Sequence, residues 1–402
     1  MKRYMHYLYL LVLWLSHTIA YDAYVIVPVA DLVGEPLASP TSYTTIPLSG
    51  DQTICRRLHQ LLYHDRVRVL EIRNKQAHIE LPTVFYKTHG SNKRESTFWT
   101  AQAYLLPADE IQGDLHQLPL QASYQTWQAK RNNEQPIVTL AHPYHDHLHD
   151  IRFSAGTQFV RVPANDKTQD RIKVYLLDPA TKRIRYTHLP ANLCLTTNSQ
   201  NSPQTCINLF IHLIRSWITN ASPTGHIPYV WGGTSVGSPT KGSIKRCSKK
   251  KGASWYESAR NRQSTQTGCD CSGLIMRAAQ IAGIPYFFKN SYTATCYLKA
   301  VGPTQPLAQG DIIWVPGHVM IVADMSKNSL FEARSHDHGY GKLQEIALGD
   351  VFKGIPTYQA LLHAYEKKIP LERIDKAGVV KDHFPSFKLL SLASAWDNLY
   401  TR

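Results

Sequence analysis

The chain has 402 residues, 43% of them hydrophobic and 18% charged, which excludes disorder throughout and leaves room for two or three domains with sizeable cores. Its net charge of +14 and pI of about 9.3 favour polyanionic partners such as nucleic acid, anionic lipid or anionic wall polymer. A generally solvated basic surface accounts for the same excess.

The N-terminus reads as an export signal over residues 1–20. Lys2 and Arg3 precede an apolar run from Leu8 to Leu15, too short to span a bilayer, and Thr18-Ile19-Ala20 offers a small-x-small cleavage point before Tyr21. A buried strand or an uncleaved anchor are the alternatives for this run. No cysteine follows it to carry a lipid, and no other apolar stretch is long enough to cross a membrane. The mature chain is therefore expected in the periplasm, the cell wall or outside the cell, as a monomer without a transmembrane segment. Export makes nucleic acid the least suitable polyanion. The seven cysteines are Cys55, Cys194, Cys206, Cys247, Cys269, Cys271 and Cys296. An odd number leaves at least one thiol free, and nucleophilic catalysis is one use for it. Cys194 and Cys206 flank a polar loop and are candidates to pair.

From Tyr24 to about Leu106 the sequence is β-like, with strands expected at Val25–Val29 and Arg66–Ile72; the second alternates charged and apolar residues. A second β-rich stretch, within 135–195, carries expected strands at Ile137–Leu140, Thr157–Val162 and Ile172–Leu177. Strand pattern and position over 21–110 resemble a bacterial SH3 domain, and the second stretch reads as another SH3-like barrel or as part of one larger β domain. Thr196 to Gln204 is a polar linker, after which Ser202 as N-cap and Pro203 at the first turn open a helix. Ile207, Phe210, Ile211, Ile214, Trp217 and Ile218 form its apolar stripe. A catalytic domain is placed at 196–360, and 361–402 reads as a tail with weak helical patches.

Chemistry concentrates in Gly268-Cys269-Asp270-Cys271-Ser272-Gly273-Leu274-Ile275. The apolar spacing of Leu274, Ile275, Ala278, Ile281 and Ala282, ended by Gly283, puts Cys271 at a helix N-terminus. The helix dipole and free amides there favour a thiolate and can hold an oxyanion. Asp311–Val315 and His318–Val322 read as strands around a Pro316-Gly317 turn, so His318 starts a strand, a rigid place for a base. Leu330–Arg334 reads as the next strand, where a polar side chain can orient the imidazole, completing a Cys-His-orienter arrangement.

Three segments together resemble the NlpC-type family of papain-like cell-wall endopeptidases: Pro228-Tyr229-Val230-Trp231-Gly232-Gly233, Asp270-Cys271-Ser272-Gly273-Leu274, and Gly310-Asp311-Ile312 with Gly317-His318-Val319. The resemblance covers Ile207 to Ile355, somewhat over a third of the chain. It implies an α+β papain-like catalytic domain behind all-β SH3-like barrels, and hydrolysis of peptidoglycan stem peptides or released muropeptides at the γ-D-glutamyl–diamino acid bond. By position Cys271 resembles the nucleophile, His318 the general base and Glu332 the third residue, with His336 as the other candidate. A Glu332 carboxylate would favour imidazolium. Tyr229, Asp270 and Ser272 resemble substrate-binding positions, and Asp270 is placed either to take a free α-amino group or to cap the helix. Neither a metal nor an organic cofactor is required. A wall-binding protein without catalysis, or an amidase or acyltransferase on the same scaffold, are the other functional readings.

Two features depart from the family pattern. Thr234 to Cys269 is a long insertion rich in lysine, placed to line the cleft, to bind an anionic polymer or simply to be solvated. Cys269 stands where an apolar residue is usual, so a Cys-x-Cys metal site or strained disulfide is an alternative to a free nucleophile.

Overall fold

The computed structural model describes residues 20–40, 56–88, 90–91, 94–120, 136–163, 170–196, 201–222, 225–241, 267–302, 305–335 and 340–397. The export signal, Cys55, Cys247, most of the basic insertion and His336 fall outside these residues.

The architecture is α+β. In the N-terminal part, seven strands form one sheet in the order Arg57–Leu62, Val29–Val33, Thr97–Ala101, Gln76–Glu80, Arg66–Arg73, Tyr21–Val25, Leu105–Pro107. All its pairings are antiparallel. The expected Val25–Val29 strand is split: one strand ends at Val25 and the next starts at Val29. Pro28 has no N–H for a ladder, and Ile26 turns away to donate its amide to the Tyr104 carbonyl at 3.0 Å. No closed barrel forms among the described residues, so the SH3-like resemblance is not carried into the structure.

The expected strands of the second β-rich stretch form at Ile137–Leu140, Gln158–Val160 and Arg171–Asp178. They make a three-stranded sheet with Cys194–Thr196 and a long hairpin with Arg183–Pro190. Val138, Leu140, Phe153, Phe159, Val174 and Leu176 form their core, which also takes in Tyr63 from the turn after the strand Arg57–Leu62. Cys194 and Cys206 are free thiols.

The Ser202 hydroxyl caps the helix Pro203–Ala221 by accepting from the Thr205 amide, and Ile207, Phe210, Ile211, Ile214 and Trp217 are buried on the expected stripe. This helix and the helix Cys271–Ala282 lie on one face of a five-stranded antiparallel sheet. Its order is Lys342–Ala347, Ser329–Arg334, His318–Asp324, Ile312–Val315, Lys388–Leu390. Ile313, Val315, Met320, Val322 and Leu330 point to the other face, against Tyr358 and Leu361 of the helix Tyr358–Glu366. Covering on both faces explains why these strands read as nearly continuous apolar runs. The described residues after Leu361, expected as a tail, are built into this unit: Lys388–Leu390 completes the sheet edge against Ile312–Val315. No helix of the described residues is long and apolar enough to cross a membrane.

One apolar core runs from the N-terminal sheet into the helices Pro203–Ala221 and Cys271–Ala282, joining Val25, Leu61, Val69 and Ile79 to Phe210, Leu274 and Ile281. The strand Phe85–Lys87 pairs in parallel with Phe288–Lys289, and Phe85 packs on Phe287, Phe288 and Tyr297. Phe85→Ala should therefore cost about 3–5 kcal/mol. Chemical denaturation should show this loss in one transition shared by both halves; a separate, unshifted transition for the C-terminal half would contradict the shared core.

Candidate active site

The start of the Cys271 helix is fixed by side chain and backbone together. Asp270 is its N-cap, in extended conformation, and Gly283 closes it in the left-handed region at φ 78°. Asp270 Oδ1 accepts from the Gly273 amide at 2.6 Å and from Ser272 Oγ at 2.9 Å, while Oδ2 accepts from the Gly232 amide at 3.0 Å. The Gly232-Gly233 turn lies directly on this helix start. A Cβ on Gly273 would sit 1.9 Å from the Gly233 carbonyl oxygen, and one on Gly232, at φ +71°, 2.2 Å from the Arg57 carbonyl oxygen. Hence the glycines of both motifs are required by backbone packing.

Cys271 is buried, with 8% of the residue exposed. It lies within hydrogen-bonding reach of the Val319 amide, the residue after His318. Burial first, and Asp270 next, push the thiol up to about 12, while the Val319 amide and Lys289 pull the other way. The thiolate-favouring shift expected from the helix start is thus reversed by desolvation.

His318 starts the strand His318–Asp324, and Glu332 is cross-strand on Ser329–Arg334. His318 Nε2 is 3.3 Å from Glu332 Oε2. The same carboxylate oxygen accepts from Arg373 Nη2 at 2.9 Å, and that guanidinium is 3.2 Å from His318 Nε2. Glu332 Oε1 accepts from Gln344 Nε2 at 3.1 Å and from Arg334 Nη1 at 3.5 Å. Burial raises the Glu332 carboxyl, but Arg373, His318 and Arg334 outweigh it and hold it at about 2. Burial and then Arg373 push the His318 imidazole down to about 4, against the pull of Glu332. Glu332 stands beside the imidazole, yet an imidazolium is not favoured, because burial and then Arg373 outweigh its pull.

Of the positions expected to bind substrate, Tyr229 is buried in the turn, with its amide on the Gly341 carbonyl at 3.0 Å. Asp270 and Ser272 bond each other and both accept from Lys289 Nζ, at 2.6 and 3.2 Å. Cys269 is a fully buried free thiol, bridged through its backbone to Tyr229 and Thr234. Its thiol is pushed upward by burial, as for an inert core residue.

Lys289, Arg334, Gln344 and Arg373 were not singled out in the sequence. Lys289 did leave a signal, a lone cation after Tyr286-Phe287-Phe288 that must find a partner if buried. Arg373 left none, since only the hairpin Leu371–Ile374 with Val380–Phe384 brings it to His318.

No protein-family model and no curated sequence matches this chain. Among solved structures, an NlpC/P60 family protein from Bacillus cereus superposes with a TM-score of 0.50 at 16% identity, over 81% of this chain and 94% of that one. Two Trichomonas vaginalis proteins, NlpC2 and NlpC1, align with TM-scores of 0.31 and 0.29 at 9% and 10% identity. They cover 83% and 82% of this chain, and 94% and 89% of their own. The Bacillus likeness carries the fold alone: this chain is similar in architecture to that NlpC/P60 family protein.

A histidine held down in the fold stays unprotonated while the unfolded chain takes up a proton near pH 6.5. Stability is then fully present above that pH and lost as pH falls toward the folded value. His318 and His64, both down to about 4, and His59, also held down by burial, act in one direction. The thermal midpoint should fall as pH is lowered from about 6.5 to 4. His318→Gln should flatten part of that slope in a calorimetric series; an unchanged slope would place His318 outside it.

Proposed function

We propose that the chain is an exported cysteine peptidase that hydrolyses peptidoglycan stem peptides at the γ-D-glutamyl–diamino acid bond, with Cys271 as nucleophile, His318 as base and Glu332 as its orienter. The observation that carries this reading is the Cys271 thiol at a helix N-terminus, against the Val319 amide, with His318 at the preceding position paired to Glu332. His318 Nε2 faces Glu332 and Arg373, which leaves Nδ1 to receive the thiol proton.

The depressed imidazole and raised thiol support a neutral resting pair. In that state Cys271 loses its proton to His318 as sulfur attacks the amide carbonyl. Glu332 stabilises the imidazolium that forms. Backbone amides at the helix start receive the oxyanion. His318 then gives its proton to the leaving amine, and a water it activates releases the acyl group from sulfur.

Cys271→Ala should lower muropeptide hydrolysis by roughly 10³-fold or more, and Cys269→Ala should leave it largely intact. Glu332→Gln should lower kcat by roughly 10²-fold. Mass spectrometry of digested peptidoglycan reads the bond: products cut at the sugar–alanine amide would indicate an amidase, and no products a wall-binding protein. Retained activity in Cys271→Ala would remove the assignment of the nucleophile.

A further inference from the structure

Lys289 is a buried cation that the proposed reaction does not use. It is 1% exposed, at the end of an aromatic run, and its Nζ donates to Asp270 and Ser272 on either side of Cys271. Burying an unpaired ammonium is strongly unfavourable, so this ion pair fixes both partners. Its backbone is held as firmly, since Lys289 sits opposite Tyr86 in the Phe85–Lys87 ladder. Asn290 Nδ2 donates to the Lys87 carbonyl at 2.8 Å beside it.

An ionised carboxylate offers about four lone-pair positions. Asp270 receives four donors from the protein: the Gly273 amide and Ser272 Oγ on one oxygen, the Gly232 amide and Lys289 Nζ on the other. No acceptor position remains, and the Asp270–Lys289 pair is neutral. An ammonium group of a substrate beside Cys271 would have to displace Lys289 or lie next to its charge in a low-dielectric corner.

Resting on the peptidase reading above, we infer that Lys289 is a specificity-determining residue. It rejects stem peptides with a free amino terminus and selects those whose amino terminus is acylated. An acylated nitrogen carries no charge. Its carbonyl is an acceptor, and among the described residues Lys289 spends two of its three N–H donors.

The test compares L-Ala-γ-D-Glu-L-Lys and L-Ala-γ-D-Glu-meso-diaminopimelate, each with a free and with an N-acetylated amino terminus, on the mature full-length enzyme. At pH 6.5 the acetylated peptide should have a kcat/KM at least tenfold higher, with the difference mainly in KM. Raising the pH through about 8, where an α-amino group loses its charge, should narrow this ratio. Lys289→Met should shift the ratio at pH 6.5 at least tenfold toward the free-amine peptide, because Asp270 regains an open position. If Lys289→Met does not fold, the pH dependence of the wild-type ratio decides alone. Equal or better use of the free-amine peptide at pH 6.5, or a ratio that ignores pH, overturns the inference while leaving the peptidase reading intact. Cleavage of none of the peptides overturns that reading, and this inference with it.

Discussion

The Asp270 carboxylate is the joint on which the site depends. It caps the Cys271 helix, holds the Gly232 amide of the Gly-Gly turn and neutralises Lys289. Through Lys289 it is tied to the N-terminal strand Phe85–Lys87. Four donors on one side chain thus set the direction of the helix-start amides around Cys271. The glycines at 232, 233 and 273 follow from the same constraint, because the turn and the helix start meet backbone to backbone with no room for a Cβ.

Electrostatics divide the site into two halves. Around Cys271, Asp270 is matched by Lys289. Around His318, one carboxylate faces two buried guanidiniums, those of Arg334 and Arg373. That second half carries an excess of positive charge, which adds to burial in opposing a proton on the imidazole. A buried Cys-His pair held neutral in this way is formed by neighbours as much as by the two residues themselves.

The N-terminal half is structural to the site. Arg57, clamped by two hydrogen bonds to Asp31, donates to the Trp231 carbonyl at 3.0 Å in the turn beside Asp270. Gln60 Oε1 accepts from the Thr234 and Ser235 amides just beyond that turn. The first sheet therefore packs against the Gly-Gly turn and shares its core with the helices behind it.

Sequence by itself determined the parts that rest on short-range physics. Ser202 and Asp270 as caps, Gly283 as terminator and the apolar periods of both helices lie within a few residues of what they control. The strands carrying His318 and Glu332 were legible because both faces are buried and their apolar runs are continuous. The Val25–Val29 strand was misread because Pro28 breaks a ladder that its apolar neighbours suggest. Only the tertiary structure decided the charge state of the site. Arg373 reaches His318 across 55 positions and Lys289 reaches Asp270 across 19, and desolvation depends on everything packed around them. Counter-charges and burial are properties of assembled neighbours, so a local pattern placed the reactive groups and the fold set their protonation.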